Sequence, residues 1–278
     1  MRRANRDEAR ARVFRGRAVS WLALAALAHL APAAARADAW PACAGAGSSP
    51  ASYEAVGARD GATLRLTDGR EVRLAGVIAL NDLDGDAAAV RQATAALDRL
   101  VAGKRILLYS TETGDRYGRV RGQVALADGA WVQGVLVANG MLRVGPEAGE
   151  PACSEALIAR ERAARAAKAG FWTDARFSVE SASDLAALNA AVGRFAVVEG
   201  RVTRIGETAS RTYIDFGRRY SEDFTIVIPR EARAAFAAAG IDLKSLRGKR
   251  GRGVLFSSGG PAIEVRKPES IEIVESGR

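Results

Sequence analysis

Histidine is almost absent from this chain: among 278 residues there is one, His29. It falls in an amino-terminal segment whose pattern marks it for removal, which leaves a mature chain with no imidazole. A Ser-His-Asp triad, a Cys-His pair and a His-ligated zinc are then all excluded. Cysteine is scarce as well, with only Cys43 and Cys153. An even count in an exported chain points to one disulfide, Cys43–Cys153. It would close a loop of about 110 residues and contribute up to ~4–5 kcal/mol in the chain-entropy model. Two unpaired buried thiols are the alternative. Apolar and charged residues are not scarce. At 48% and 26% they make an ordinary globular composition, which excludes wholesale disorder. The length allows one large domain or two small ones.

The segment to be removed is residues 1–37. Seven arginines among residues 1–17 are opposed only by Asp7 and Glu8, an apolar run covers Ala18–Leu30, and Ala35-Arg36-Ala37 follows. A basic region, a short apolar core and a small-x-small end describe a secretory signal, with cleavage expected between Ala37 and Asp38. An uncleaved membrane anchor is the competing reading. Against it, His29 and Pro32 interrupt the stretch before the ~20 residues a span needs. The expected location is therefore periplasmic or secreted, with no membrane span left after cleavage.

Much of the positive charge belongs to that segment. It holds eight arginines and two acids, so six of the nine net positive charges leave with it. Residues 38–177 are balanced, and residues 178–278 keep a net charge of +3. Whole-chain charge is thus poor evidence for nucleic-acid binding, and any basic surface must be local.

Residues 38–52 are expected to be extended, the stretch Ala42–Ser52 being small and Gly/Ser/Pro-rich. Strands are expected at Tyr53–Ala58, Ala62–Thr67 and Arg70–Ile78, with the turn dipeptide Asp68-Gly69 between the last two. A helix at Ala87–Ala102 follows, with Val90, Ala93, Leu97, Leu100 and Val101 on one face and Gly103 as its stop. Strands Arg105–Thr111 and Arg119–Ala127, a helix Trp131–Ala138, a strand Met141–Val144 and a helix Cys153–Ala169 complete the first half. Phe171-Trp172 then folds back as an apolar clasp. The second half, from 178, reads as a lead-in helix Asp184–Val192 and strands Phe195–Ile205, Arg211–Phe216, Phe224–Ile228, Lys249–Phe256, Ala262–Val265 and Ile271–Val274. Helical stretches Arg230–Ala239 and Leu243–Leu246 lie between the third and fourth. Three strands, a helix and further strands is the order of a five-stranded OB barrel.

Four runs in the first half carry a resemblance: Asp60-Gly61-Ala62-Thr63-Leu64, Val72-Arg73-Leu74-Ala75-Gly76-Val77, Asp115-Arg116-Tyr117-Gly118-Arg119 and Asp128-Gly129-Ala130-Trp131-Val132. With Gly170-Phe171-Trp172 closing the late helix, residues 53–173 resemble the staphylococcal nuclease (thermonuclease-like) family. The resemblance implies a mainly β fold with added helices: an OB-fold barrel over 53–177, followed here by a second OB-like barrel over 178–278. It also implies calcium-dependent phosphodiester hydrolysis. That chemistry uses carboxylate ligands for Ca²⁺, a glutamate that helps activate water, and two arginines for charge building on the phosphate. Arg73 and Arg119 match the arginines, whose planar forks pair two phosphate oxygens.

The carboxylates do not match. Where the family's Asp-Gly-Asp-Thr puts a calcium ligand, this chain has Ala62. Ile78 stands at the second calcium aspartate and Asn81 at the glutamate. Ala and Ile offer a cation no oxygen, and Asn has no basic lone pair at neutral pH. Loss of a positioned general base alone costs ~10²–10⁴-fold in rate. Asp82, Asp84 and Asp86 cluster nearby, but Ala87 and Ala93 break the EF-hand pattern, and a solvated helix start explains the acids equally well. The segment Gly145–Glu150, where the family stacks bases on tyrosines, has no aromatic.

In the second half, alternation places Arg211, Tyr213 and Asp215 on one strand face, with Arg218, Arg219 and Tyr220 in the turn beyond. Tyr213 among Arg211 and Arg218 is a candidate stacking platform, and Lys244, Arg247, Lys249, Arg250 and Arg252 form a candidate phosphate-tracking strip. A solvated edge with an ordinary tyrosine is the plain reading. Three functions follow. The first is an exported thermonuclease-like protein whose calcium site has decayed, needing no cofactor and binding single-stranded nucleic acid, another polyanion or an envelope partner. The second is an active nuclease using Arg73 and Arg119 with displaced acids such as Asp60, Asp82 or Asp115, and with Ca²⁺. The third is a structural envelope module.

Overall fold

The computed structural model describes residues 49–80, 87–110, 114, 117–145, 151–219, 221–246 and 249–273. Residues 1–37, expected to be a signal, lie outside them, as do Cys43, Asn81, Asp82, Asp84, Asp86, Asp115, Tyr220 and Pro146–Glu150.

Strand β1 (Ala51–Asp60) is long enough to serve two partners, and its register shifts between Ala55 and Gly57 and between Ala58 and Asp60 bend it to do so. Its first half pairs with β5 (Arg105–Tyr109) and its second half with β2 (Thr63–Leu66). Adding β3 (Glu71–Leu74) and β6 (Val120–Leu126) closes the barrel in the order β1-β2-β3-β6-β5. The alternation of buried Leu64, Leu66, Val72 and Leu74 fills its interior, together with Ile106, Leu108, Val124 and Leu126. Helix α1 (Ala87–Val101) covers one end through Ala93, Leu97 and Val101, a single stripe at i, i+4 and i+8.

The expected strand Arg70–Ile78 is two. Gly76 takes φ +83° and breaks it, so β4 (Val77–Ile78) leaves the barrel and pairs with β7 (Arg143–Val144). Helices α2 (Val132–Ala138) and α3 (Pro151–Ala166) pack on the barrel. Helix α3 starts two residues earlier than the apolar pattern predicts, because Pro151 suits the first helical position. At the far ends of these helices the chain crosses itself closely. Gly140 has φ +62°, a Cβ there would lie 2.1 Å from the Ala169 carbonyl oxygen, and the Gly140 carbonyl accepts from the Phe171 N–H. Phe171 and Trp172 form the expected clasp in a 3-10 turn, with ring centroids 4.7 Å apart.

Where strand order predicts a five-stranded barrel, the second half has an eight-stranded sheet. It comprises β8 (Glu180–Ser181), β9 (Phe195–Gly200), β10 (Arg204–Glu207), β11 (Arg211–Asp215), β12 (Thr225–Pro229), β13 (Lys249–Ser258), β14 (Gly260–Glu264) and β15 (Ile271–Ile273). The ten residues of β13 explain the extension: Lys249–Val254 pair with β9, and Leu255–Ser258 pair with β14. Phe224, Ile226, Ile228, Phe236 and Ile263 are fully buried at its core. Helices α4 (Leu185–Ala190) and α5 (Arg233–Ala238) complete it.

The halves are joined by buried charge. Glu272 on β15 accepts from Arg162 Nε at 2.8 Å and Arg165 Nη2 at 3.3 Å on α3, and Arg165 also reaches the buried Glu161 at 2.9 Å. The Arg143 guanidinium, itself buried, donates to the Phe195 carbonyl at 2.9 Å and lies against Phe171, Phe177 and Phe195. No helix among the described residues is long and apolar enough to cross a membrane.

Candidate functional site

Pairing across the barrel builds a row of polar side chains. Thr63 on β2 lies opposite Arg73 on β3, and Arg73 lies opposite Arg121 on β6. Paired residues in neighbouring strands share a face, so these three project together, while Val72 and Leu74 turn inward. Arg119 immediately precedes β6, two residues before Arg121. Strand pairing sets Arg121, which the motifs did not single out, opposite Arg73. Its signal was available, since it is at i+2 from Arg119, but the turn motif ends at Arg119 and alternation beyond it was not followed.

Among the described residues, Asp60 sets a carboxylate against this row. Asp60 Oδ1 accepts from the Ala62 N–H at 2.8 Å and lies 3.4 Å from Arg73 Nη1, and Thr63 Oγ1 lies 3.3 Å from the same nitrogen. Thr63 is wholly buried, which fixes that edge, and the Arg73 side chain is a quarter exposed. The Arg119 guanidinium stacks 4.9 Å from the Tyr117 ring centroid, and that ring is 65% exposed. An exposed tyrosine beside an arginine is a cation–π pair that can also receive a base or sugar.

A calcium ion needs several oxygens at 2.3–2.6 Å. Ala62 is at 0% exposure with its methyl in the core, and Ile78 is carried away on β4, opposite Arg143. Asp60, the remaining acid, already holds a backbone N–H and an arginine. Among the described residues there is no group of three or more His, Cys, Asp or Glu able to hold a metal ion. These residues do not fit calcium.

Residues 71–174 match the family model described as staphylococcal nuclease homologue. The match runs from β3 to the residues just after the Phe171-Trp172 clasp. Strands β1 and β2 precede the matched region and complete the closed five-stranded barrel. No curated protein matches the chain.

The second-half residues are dispersed. Arg211 opens β11 opposite Pro229 and is exposed, and Arg218 is exposed in the turn beyond. The backbones of Lys249 and Arg250 open β13, between β9 and β15. Tyr213 is half-buried and lines a cavity that it shares with Asp215 and Arg204. Cys153 is buried on α3.

Proposed function

We propose that the protein is exported and that its staphylococcal nuclease homologue domain binds a polyanion, single-stranded nucleic acid first among the candidates, without calcium-dependent cleavage. One observation carries this reading: Arg73 and Arg121 are paired across β3 and β6, with Arg119 just before β6, while Ala62 is buried and Ile78 is paired away on β4. The arginine half of a phosphate site is present and the oxygen half is not, among the described residues. Guanidinium groups on a rigid sheet bind phosphate through paired N–H donors. They do not by themselves activate water.

Export is supported by the sequence pattern of residues 1–37. A Cys43–Cys153 disulfide accords with it, supported by the burial of Cys153 and by there being no free cysteine among the described residues. A non-reducing peptide map must show the two cysteines linked; two alkylatable thiols would refute the bridge. The paired halves, 53–177 and 178–278, are read as two domains held by the Glu272 clamp.

Binding of a labelled single-stranded oligonucleotide, measured against salt, tests the main reading. The expected result is affinity that falls steeply with salt, at ~0.7 in log–log slope per phosphate neutralised, and that weakens in Arg73→Ala. Binding that ignores salt would contradict it. Asp60, beside Arg73, favours a second reading, hydrolysis with displaced acids. Chelator-sensitive cleavage lost in Arg119→Ala would establish it instead.

A further inference from the structure

The strand face of Tyr213 does not meet solvent as a basic platform. It closes, with the turn at Ser221–Asp223 and the β13–β14 corner at Gly259–Ala262, around a cavity of about 420 Å³. That is the size of pocket that holds a small organic ligand. Its wall contains a charge the fold does not satisfy. Asp215 is 4% exposed, and its Oδ1 accepts from Thr225 Oγ1 at 3.2 Å. No described residue donates to its other oxygen or forms an ion pair with it. Arg204, opposite it across β10–β11, lowers its pKa through space, yet does not close to salt-bridge distance.

Asp223 is the second carboxylate. Its Oδ2 accepts only the backbone N–H of Arg219, at 2.7 Å. The third acid on the wall, Glu207, is already neutralised by Arg233 at 2.8 Å. Among the described residues, the cavity therefore presents two carboxylates without ion pairs against one arginine, in a chain of net positive charge. Beside them are the Tyr213 ring and the apolar side chains of Val227 and Ala262.

A nearly buried carboxylate with an empty acceptor position calls for a donor, and a charged donor most of all. Burial pushes the Asp215 pKa up, the direct mark of missing solvation. Phosphate is excluded by like charge. A hard divalent ion is disfavoured by the apolar wall and by the lack of converging oxygens. An organic cation fits both halves of the lining: its charged head meets Asp215, and its body lies on Tyr213, Val227 and Ala262.

We propose that this cavity is a binding site for an organic ammonium or guanidinium group carried on an apolar body, with Asp215 as its anchor. The site lies in the second half, is separate from the Arg73 row, and does not depend on the function proposed for that row. A free amine and a basic side chain of a partner protein present the same chemistry.

Calorimetric titration of the purified protein with benzylamine at pH 7 and low salt tests this, with benzyl alcohol as the uncharged counterpart and N-acetyl-lysine methylamide as the side-chain probe. Saturable binding of benzylamine and not of benzyl alcohol is expected, weakened about tenfold or more in Asp215→Asn. Binding by the lysine probe as well would identify a partner's side chain as the source, and its failure would identify a free amine. Asn keeps an oxygen for Thr225, and a thermal melt checks that the variant is folded. Should it not fold, Tyr213→Ala must weaken benzylamine. Equal binding of amine and alcohol, unchanged affinity in these variants, or calcium competing at micromolar levels would overturn the proposal.

Discussion

Replacing Glu272 by Gln should loosen the junction between the halves by an amount the geometry bounds. Glu272 is 1% exposed on its side chain, and Arg165, its nearly buried partner on α3, is 9% exposed. Removing one member of a buried ion pair costs ~3–5 kcal/mol when the other charge is stranded. Arg165 is not stranded, because Glu161 still holds it at 2.9 Å, and Arg162, half exposed, can turn to water. Gln also keeps one acceptor oxygen. The loss should therefore sit below the full range, at about 2–3 kcal/mol. For a chain this long, ~2–4 °C per kcal/mol converts it to a fall in Tm of about 4–12 °C. The control is Glu231→Gln, whose pair with Arg266 is 66% and 56% exposed. An exposed pair contributes ~0–1 kcal/mol, so that variant should melt within a few degrees of the parent. Thermal and urea unfolding of both variants decides the matter. Equal shifts, or a Glu272→Gln loss below about 0.5 kcal/mol, would refute the reasoning from burial.

Asp215→Asn should stabilise the protein at neutral pH. Burial raises the Asp215 pKa in the folded state, so the folded form holds the proton more tightly than the unfolded chain does. The stability that belongs to the protonated acid is complete below the ordinary carboxylate pKa of ~3.9 and is lost as pH rises through the raised folded value. Denaturant unfolding across pH should show the variant's advantage near zero in strong acid and growing to a plateau by neutrality. A variant less stable at every pH would contradict this. Gly140→Ala should be strongly destabilising, by more than ~1 kcal/mol, because φ is +62° and the new methyl would meet the Ala169 carbonyl. A melt unchanged from the parent would show that the α2–α3 crossing can give way.

The barrel was readable because its signals are local. Alternation in Thr63–Leu66 and Glu71–Leu74, the Asp68-Gly69 turn and the stripe on α1 each fix an element without outside help. The break at Gly76 was also local, but Ala75 and Val77 are apolar on both sides and hide it. It matters for the site, since it takes Ile78 off the barrel. The second sheet was less legible. The strand expected at Phe195–Ile205 ends at Gly200 and restarts at Arg204, and β13 divides its pairing between two partners, a choice that only distant chain makes. For the same reason, alternation correctly put Tyr213 and Asp215 on one face but took that face as solvated, when residues 221–223 and 259–262 close over it. The Glu272 clamp joins residues more than a hundred apart, and nothing local in either segment announces it. At the candidate site, Arg73 and Arg119, and the positions of Ala62, Ile78 and Asn81, came from the resemblance to the nuclease family. The structure added Arg121 and the burial of Ala62.

The most direct test incubates the purified protein with labelled single-stranded DNA in calcium and, in parallel, in a chelator. The account predicts intact DNA in both, with salt-sensitive retention of the strand that Arg73→Ala and Arg121→Ala each diminish. Cleavage in calcium, abolished by the chelator and by Arg119→Ala, would contradict it.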